Sequence, residues 1–91
     1  MVKKKTPKIP PLVEIFWEDH YSMGDTWHEP SDTHDTCILS AIGYLVAEND
    51  LYYWVACTYE MENGNYQGGT AVLKKCVTYY SVLVETRKYK P

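Results

Sequence analysis

Hydrophobic and polar residues alternate along this chain in short bursts. In residues 12–18, Val13, Ile15 and Trp17 alternate with Glu14, Phe16 and Glu18. That period of two predicts a half-buried strand with the first set turned inward. Residues 37–47 and 51–60 are rich in β-branched and aromatic side chains and predict two neighbouring strands. The break between them, Glu48-Asn49-Asp50, suits a tight hairpin connection. Asn63-Gly64 marks a further turn, after which Gly68-Gly69 leads into a fourth strand at 70–74. Lys74-Lys75-Cys76 reads as a single tight turn of 3₁₀ type before a fifth strand at 77–84. Gly43 falls inside the second strand, where a glycine predicts a bulge or bend.

The order is strand, long loop, strand, tight turn, strand, hairpin, strand, short turn, strand. It predicts an all-β domain, a five-stranded SH3-like small barrel over residues 12–85. Flexible basic tails are expected at 1–11 and 86–91. The expected inward set is Val13, Ile15, Trp17, Leu39, Ala41, Leu45, Val55, Cys57, Val72, Val82 and Val84. Residues 19–36 form the longest irregular piece, rich in Asp and His and without apolar period. A loop of that length in a small domain points to work done there, with Tyr21, Met23 and Trp27 expected to fold it back onto the barrel.

Composition changes the picture in three ways. A domain this small is marginal alone, and oligomerisation is one remedy, so a homo-oligomer is expected. Tyr supplies 9 residues against 3 Trp and 1 Phe, and its apolar ring with a polar tip suits contact surfaces. The net charge of −3 conceals a division. Residues 12–84 hold eleven acids against Lys74 and Lys75, a body charge of −9, while Lys3, Lys4, Lys5, Lys8, Arg87, Lys88 and Lys90 lie towards the ends. An acidic body is a poor platform for nucleic acid, whose binding needs cations.

Three cysteines without Cys-x-x-Cys spacing argue against a zinc site and suggest reduced thiols buried as small hydrophobes. No apolar run reaches the ~18 residues of a membrane span, and the first residues lack the apolar core of a secretory leader. The expected place is the cytoplasm, with no membrane partner.

Trp17-Glu18-Asp19, the run Ser40-Ala41-Ile42-Gly43-Tyr44-Leu45-Val46, and residues 72–83 with Cys76-Val77 and Tyr80 spaced before Leu83 together resemble a family of short proteins encoded by bacteriophages and prophages. The resemblance spans most of residues 12–84; the His- and acid-rich loop departs from it. It implies a phage origin and action inside a bacterial host. Small accessory phage proteins of this kind commonly counter host defence, and one class sequesters nucleotide immune signals such as cyclic ADP-ribose-type molecules or cyclic dinucleotides.

Three groups of residues are candidates for chemistry. Trp17, Tyr21, Trp27, Tyr44, Tyr53, Trp54 and Tyr80 are rings that could stack on a base, at ~1–3 kcal/mol per base, or fill a core or subunit interface, the core being the expected place of Trp17. Tyr52, Tyr53 and Trp54 are consecutive, so at least one must face away from the core. The loop set His28, Asp32, Asp19, His20, Asp25, Glu29, His34 and Asp35 could hydrogen-bond sugar hydroxyls of a ligand, or simply be solvated. Its spacing matches no standard metal site, and no nucleophile motif accompanies it, so neither a metal, a cofactor nor an enzyme is expected. Lys74 and Lys75 are the body's cations for a phosphate, or a solvated turn.

The expectation is a non-enzymatic phage protein that sequesters a nucleotide-derived immune signal through Tyr21, Trp27, His28, Asp32, Tyr44, Tyr53, Trp54, Lys74 and Lys75. The alternative is an SH3-like interaction module that inhibits a host protein or joins a phage assembly.

Overall fold

The computed structural model describes residues 8–20, 27–33 and 35–90. Among them the elements are β1 (Lys8–Ile9), β2 (Leu12–Asp19), β3 (Cys37–Glu48), β4 (Tyr52–Ala56), β5 (Thr58–Tyr59), β6 (Tyr66–Gln67), β7 (Thr70–Leu73), a 3₁₀ turn (Lys74–Cys76), β8 (Val77–Val84) and β9 (Arg87–Lys88). Strands β7, β4, β3, β2 and β8 lie side by side in that order as one antiparallel sheet.

The alternation in β2 does what its pattern demands. Val13 and Ile15 are fully buried, and with Val55 and Val72 they form the core, against which Trp17, Ala41, Leu45, Tyr53, Val77 and Tyr80 pack. Each such aliphatic side chain removed from water contributes about 1.5–3 kcal/mol. Between β3 and β4 the Asn49 side chain closes the hairpin. Its Oδ1 accepts from the N–H groups of Leu51 (2.9 Å) and Tyr52 (2.8 Å), an Asx-type turn.

The sheet is open, which corrects the expected closed barrel. β2 pairs with the first half of β3, from Cys37 to Tyr44, and β4 with the second half, from Tyr44 to Glu48. The two sides of the sheet are therefore staggered along β3, and the edge strands β7 and β8 do not pair with each other. The sheet still curls enough to stack Tyr53 of β4 on Tyr80 of β8, with two strands between them.

Four residues expected inside are exposed: Leu39, Cys57, Val82 and Val84. Leu39 sits opposite Trp17, beyond the buried cluster. Cys57 lies where the chain leaves β4 for the β5–β6 hairpin, facing Gly68, whose φ of 68° bends the returning strand. A register shift between Leu12 and Val13 pairs Val84 with Leu12, on the opposite face from Val82 and Val13. Val82, opposite Val13, keeps the inner face but is 38% exposed. Cys37 and Cys76 are only half-buried, so the thiols are not the buried hydrophobes expected. Gly43 keeps continuous pairing with Val13; the bulge comes later, between Leu45 and Ala47.

Within the segments read as tails, β1 and β9 pair antiparallel, Lys8 opposite Lys88 and Ile9 opposite Arg87. The Thr86 hydroxyl donates to the Ile9 carbonyl at 2.8 Å. Residues 1–7 lie outside the described part. Among the described residues no helix is long and apolar enough to cross a membrane.

Candidate binding cleft

Of the nine residues expected to form one site, eight are described, and these are not gathered in one place. Tyr21 lies outside the described residues, as do Met23, Asp25 and His34 of the same loop. Tyr53 and Trp54 are neighbours on one strand and so face opposite sides of the sheet. Tyr53 faces inward, its ring stacked on Tyr80 with centroids 4.9 Å apart and planes 14° from parallel. Trp54 is on the outer face beside Tyr52, centroids 5.5 Å apart. Tyr44, also on the outer face, meets Tyr59 at 6.1 Å. Of the three consecutive rings, two therefore turn away from the core.

Lys74 is already engaged. Its Nζ lies 2.8 Å from Glu48 Oε2 and 4.6 Å from the Tyr53 ring centre. The hydrogen bond to Glu48 raises the Lys74 pKa, in opposition to partial desolvation. Burial likewise raises the Tyr80 pKa, with the Glu48 carboxylate adding to it. Glu48, Lys74, Tyr53 and Tyr80 thus form one chain of contacts that ties the β3–β4 hairpin to β8.

In the loop, Trp27 and His28 are exposed. Asp32 serves its own backbone: Oδ2 accepts from Glu29 N–H at 3.1 Å, and Asp32 N–H donates to the Glu29 carbonyl at 2.8 Å. Among the described residues no three His, Cys, Asp or Glu side chains converge as metal ligands would.

Lys75 belongs to a different feature, a cleft of about 660 Å³ at the seam a closed barrel would have sealed. Trp17, Val72 and Val77 supply apolar lining; Glu18, Asp19, His20 and Thr36 supply a polar end; Lys75 and Cys76 come from the 3₁₀ turn. The Thr36 hydroxyl donates to Glu18 Oε1 at 2.6 Å. Asp19 Oδ1 accepts from His20 N–H at 2.8 Å and lies 3.0 Å from His20 Nδ1. These bonds fix two carboxylates at one end of the cleft, against one lysine.

The backbone of β7 opens into the same cleft. Lys74 N–H donates to the Leu51 carbonyl at 2.8 Å, in register with the ladder that pairs Tyr53 with Val72. In an antiparallel ladder, alternate residues turn both backbone groups to the same side. Thr70 and Val72 therefore bond to β4, while Ala71 turns its N–H and C=O, and Leu73 its N–H, to the open edge. Ala71 and Leu73 both line the cleft.

Sequence reasoning found Lys75 and Asp19 and placed Trp17 in the core, but missed the cleft. The clue was the brevity of the strand before Lys74-Lys75, which cannot cover the long strand it should close upon. No protein-family model matches the chain, and neither a curated protein nor a solved structure matches it.

Proposed function

We propose that this chain is a non-enzymatic, SH3-like interaction module that takes an extended segment of another protein into the cleft beside its 3₁₀ turn. The observation that carries this reading is the free edge of β7, at Ala71 and Leu73, opening over an apolar floor with Glu18 and Asp19 at one end. An extended peptide would add as a strand, its main chain bonding to that edge and alternate side chains entering the cleft. The two carboxylates favour a basic residue in the peptide. On the resemblance to phage proteins, such a module would act in a bacterial host, as an inhibitor of a host protein or a part of a phage assembly.

A library of extended peptides, displayed and selected against the intact protein, tests it. Selected sequences should share an apolar residue and a Lys or Arg at fixed spacing. Glu18→Lys with Asp19→Lys should weaken binding at least tenfold and relax the basic preference. Selection of sequences without a basic residue, or binding indifferent to the double reversal, refutes the reading.

A second reading, sequestration of a nucleotide-derived immune signal, has two observations in its favour: the cleft has the size of a small-molecule site, and Lys75 and Trp17 are both among its lining residues. The engagement of Lys74 by Glu48 leaves few cations for a phosphate. Cyclic ADP-ribose isomers and cyclic dinucleotides that raise the melting temperature, and are recovered unchanged after heating, would favour this reading over the first.

A further inference from the structure

β8 is an edge strand with little of the usual protection: its register shifts, opposite Leu12/Val13 and Phe16/Trp17, lie towards its two ends and leave Tyr79 to Val82 regularly paired. Folded proteins blunt exposed edges with charge, proline, bulges or a covering element. The eight residues of β8, Val-Thr-Tyr-Tyr-Ser-Val-Leu-Val, hold no charge and no proline, and among the described residues no strand pairs with its outer side. Four of them expose apolar surface: Tyr79 (46%), Val82 (38%), Leu83 (47%) and Val84 (38%).

The ladders fix which backbone groups are free. Leu45 N–H donates to the Pro11 carbonyl at 2.9 Å, in register with Leu12 opposite Tyr44. By alternation, Val13 and Ile15 turn their backbone groups to β3, and Glu14 and Phe16 turn theirs to β8. Glu14 faces Ser81 and Phe16 faces Tyr79. Tyr80 and Val82 therefore point their N–H and C=O groups outward.

From this geometry we infer that β8 pairs antiparallel with β8 of a second copy, about a two-fold axis through Ser81. In that register Tyr80 of each copy faces Val82 of the other, and the four outward groups of each copy find partners. The side chains agree on both faces. On the inner face Tyr80 meets Val82, an aromatic with a β-branched residue, a favourable cross-strand pair. On the outer face Tyr79 meets Leu83, and the small Ser81 sits opposite itself, where a bulky residue would meet its own copy. The occupant is a second copy because the surface is self-complementary and uncharged. Elsewhere the body carries −9 over residues 12–84, which would repel another copy at most other surfaces. Such an isologous contact closes at two chains and joins two open sheets into one.

The test uses the full chain. Sedimentation over a range of concentrations should give twice the chain mass of 10.6 kDa. Amide hydrogen exchange should show Tyr80 and Val82 protected in a concentration-dependent way, while Ala71 and Leu73, on the other free edge, exchange quickly without peptide. Val82→Lys places a charge at the pairing register and should weaken self-association at least tenfold with the circular dichroism spectrum unchanged. A chain that stays monomeric overturns the inference, the free strand then being open to a different protein. So does a dimer that protects Ala71 and Leu73 instead, or one that persists undiminished in folded Val82→Lys. If that variant does not fold, the exchange pattern of the unaltered chain decides. Failure here leaves the peptide cleft untouched, since that rests on β7.

Discussion

Gly43 is the position at which a single methyl group should most clearly test this account of the fold. It is buried in β3, opposite Val13, where the strand passes under β4. A Cβ built there would lie 2.6 Å from the Ala56 carbonyl oxygen and 2.8 Å from Val55 Cγ1. Neither neighbour can yield cheaply. The carbonyl belongs to the β3–β4 ladder, where Tyr44 faces Ala56, and Val55 is a β-branched core residue only 4% exposed. Overpacking of this kind costs typically about 1–3 kcal/mol. Replacing glycine returns about 0.4–1 kcal/mol through the unfolded chain. Gly43→Ala should therefore lose roughly 1–2 kcal/mol net. At about 4–8 °C per kcal/mol for a domain of this size, melting should fall by roughly 5–15 °C. Urea denaturation followed by circular dichroism, with the slope checked for constancy, measures it. Gly69→Ala is the control, because the nearest atom there is the ring of Tyr66, 3.1 Å away, on a side chain 47% exposed that can swing aside; its change should stay within ~0.5 kcal/mol. A Gly43→Ala protein as stable as the original would refute the close approach of β3 and β4.

Two further outcomes are expected. Ile15→Ala empties the centre of a core with few fully buried side chains; a loss of about 2–5 kcal/mol should lower the melting temperature by roughly 10–40 °C, and an unshifted cooperative melt would contradict the assigned core. The pKa values of Lys74 and Tyr80 are both raised in the folded state, so their contributions are complete below the ordinary values of 10.5 and 10.0 and are lost as pH rises through the higher folded values. Stability should thus be insensitive to these groups near neutrality and fall in alkali, and phenolate absorbance should show a late-titrating tyrosine that vanishes in Tyr80→Phe; a curve unchanged by that substitution would remove Tyr80 from its half-buried stack.

The all-β class and the five main strands could be read in the chain. Residues 12–18, 37–47 and 77–84 carry their periodicity and β-branched content openly, and β8 begins and ends where the pattern places it. Asn49 and Gly64 announce turns because only a few residue types satisfy the backbone there; Gly64 indeed adopts φ 74°. The direction of Val13, Ile15, Val55 and Val72 followed from alternation. Alternation fails where a strand gains a residue: the shifts opposite Leu12 and between Leu45 and Ala47 invert the sides that follow, and nothing local in Val46 or Leu83 marks them.

Sequence thus determined where strands run and which short stretches turn, because those depend on neighbours one to four residues away. Only the tertiary structure decided that the sheet stays open and that Tyr53 stacks on Tyr80. It also decided that Lys74 is held by Glu48 while Lys75 lines a cleft, and that among the described residues two edges remain unpaired. Each of these depends on the stagger of strands along β3 and on contacts between residues tens of positions apart, which no local pattern encodes.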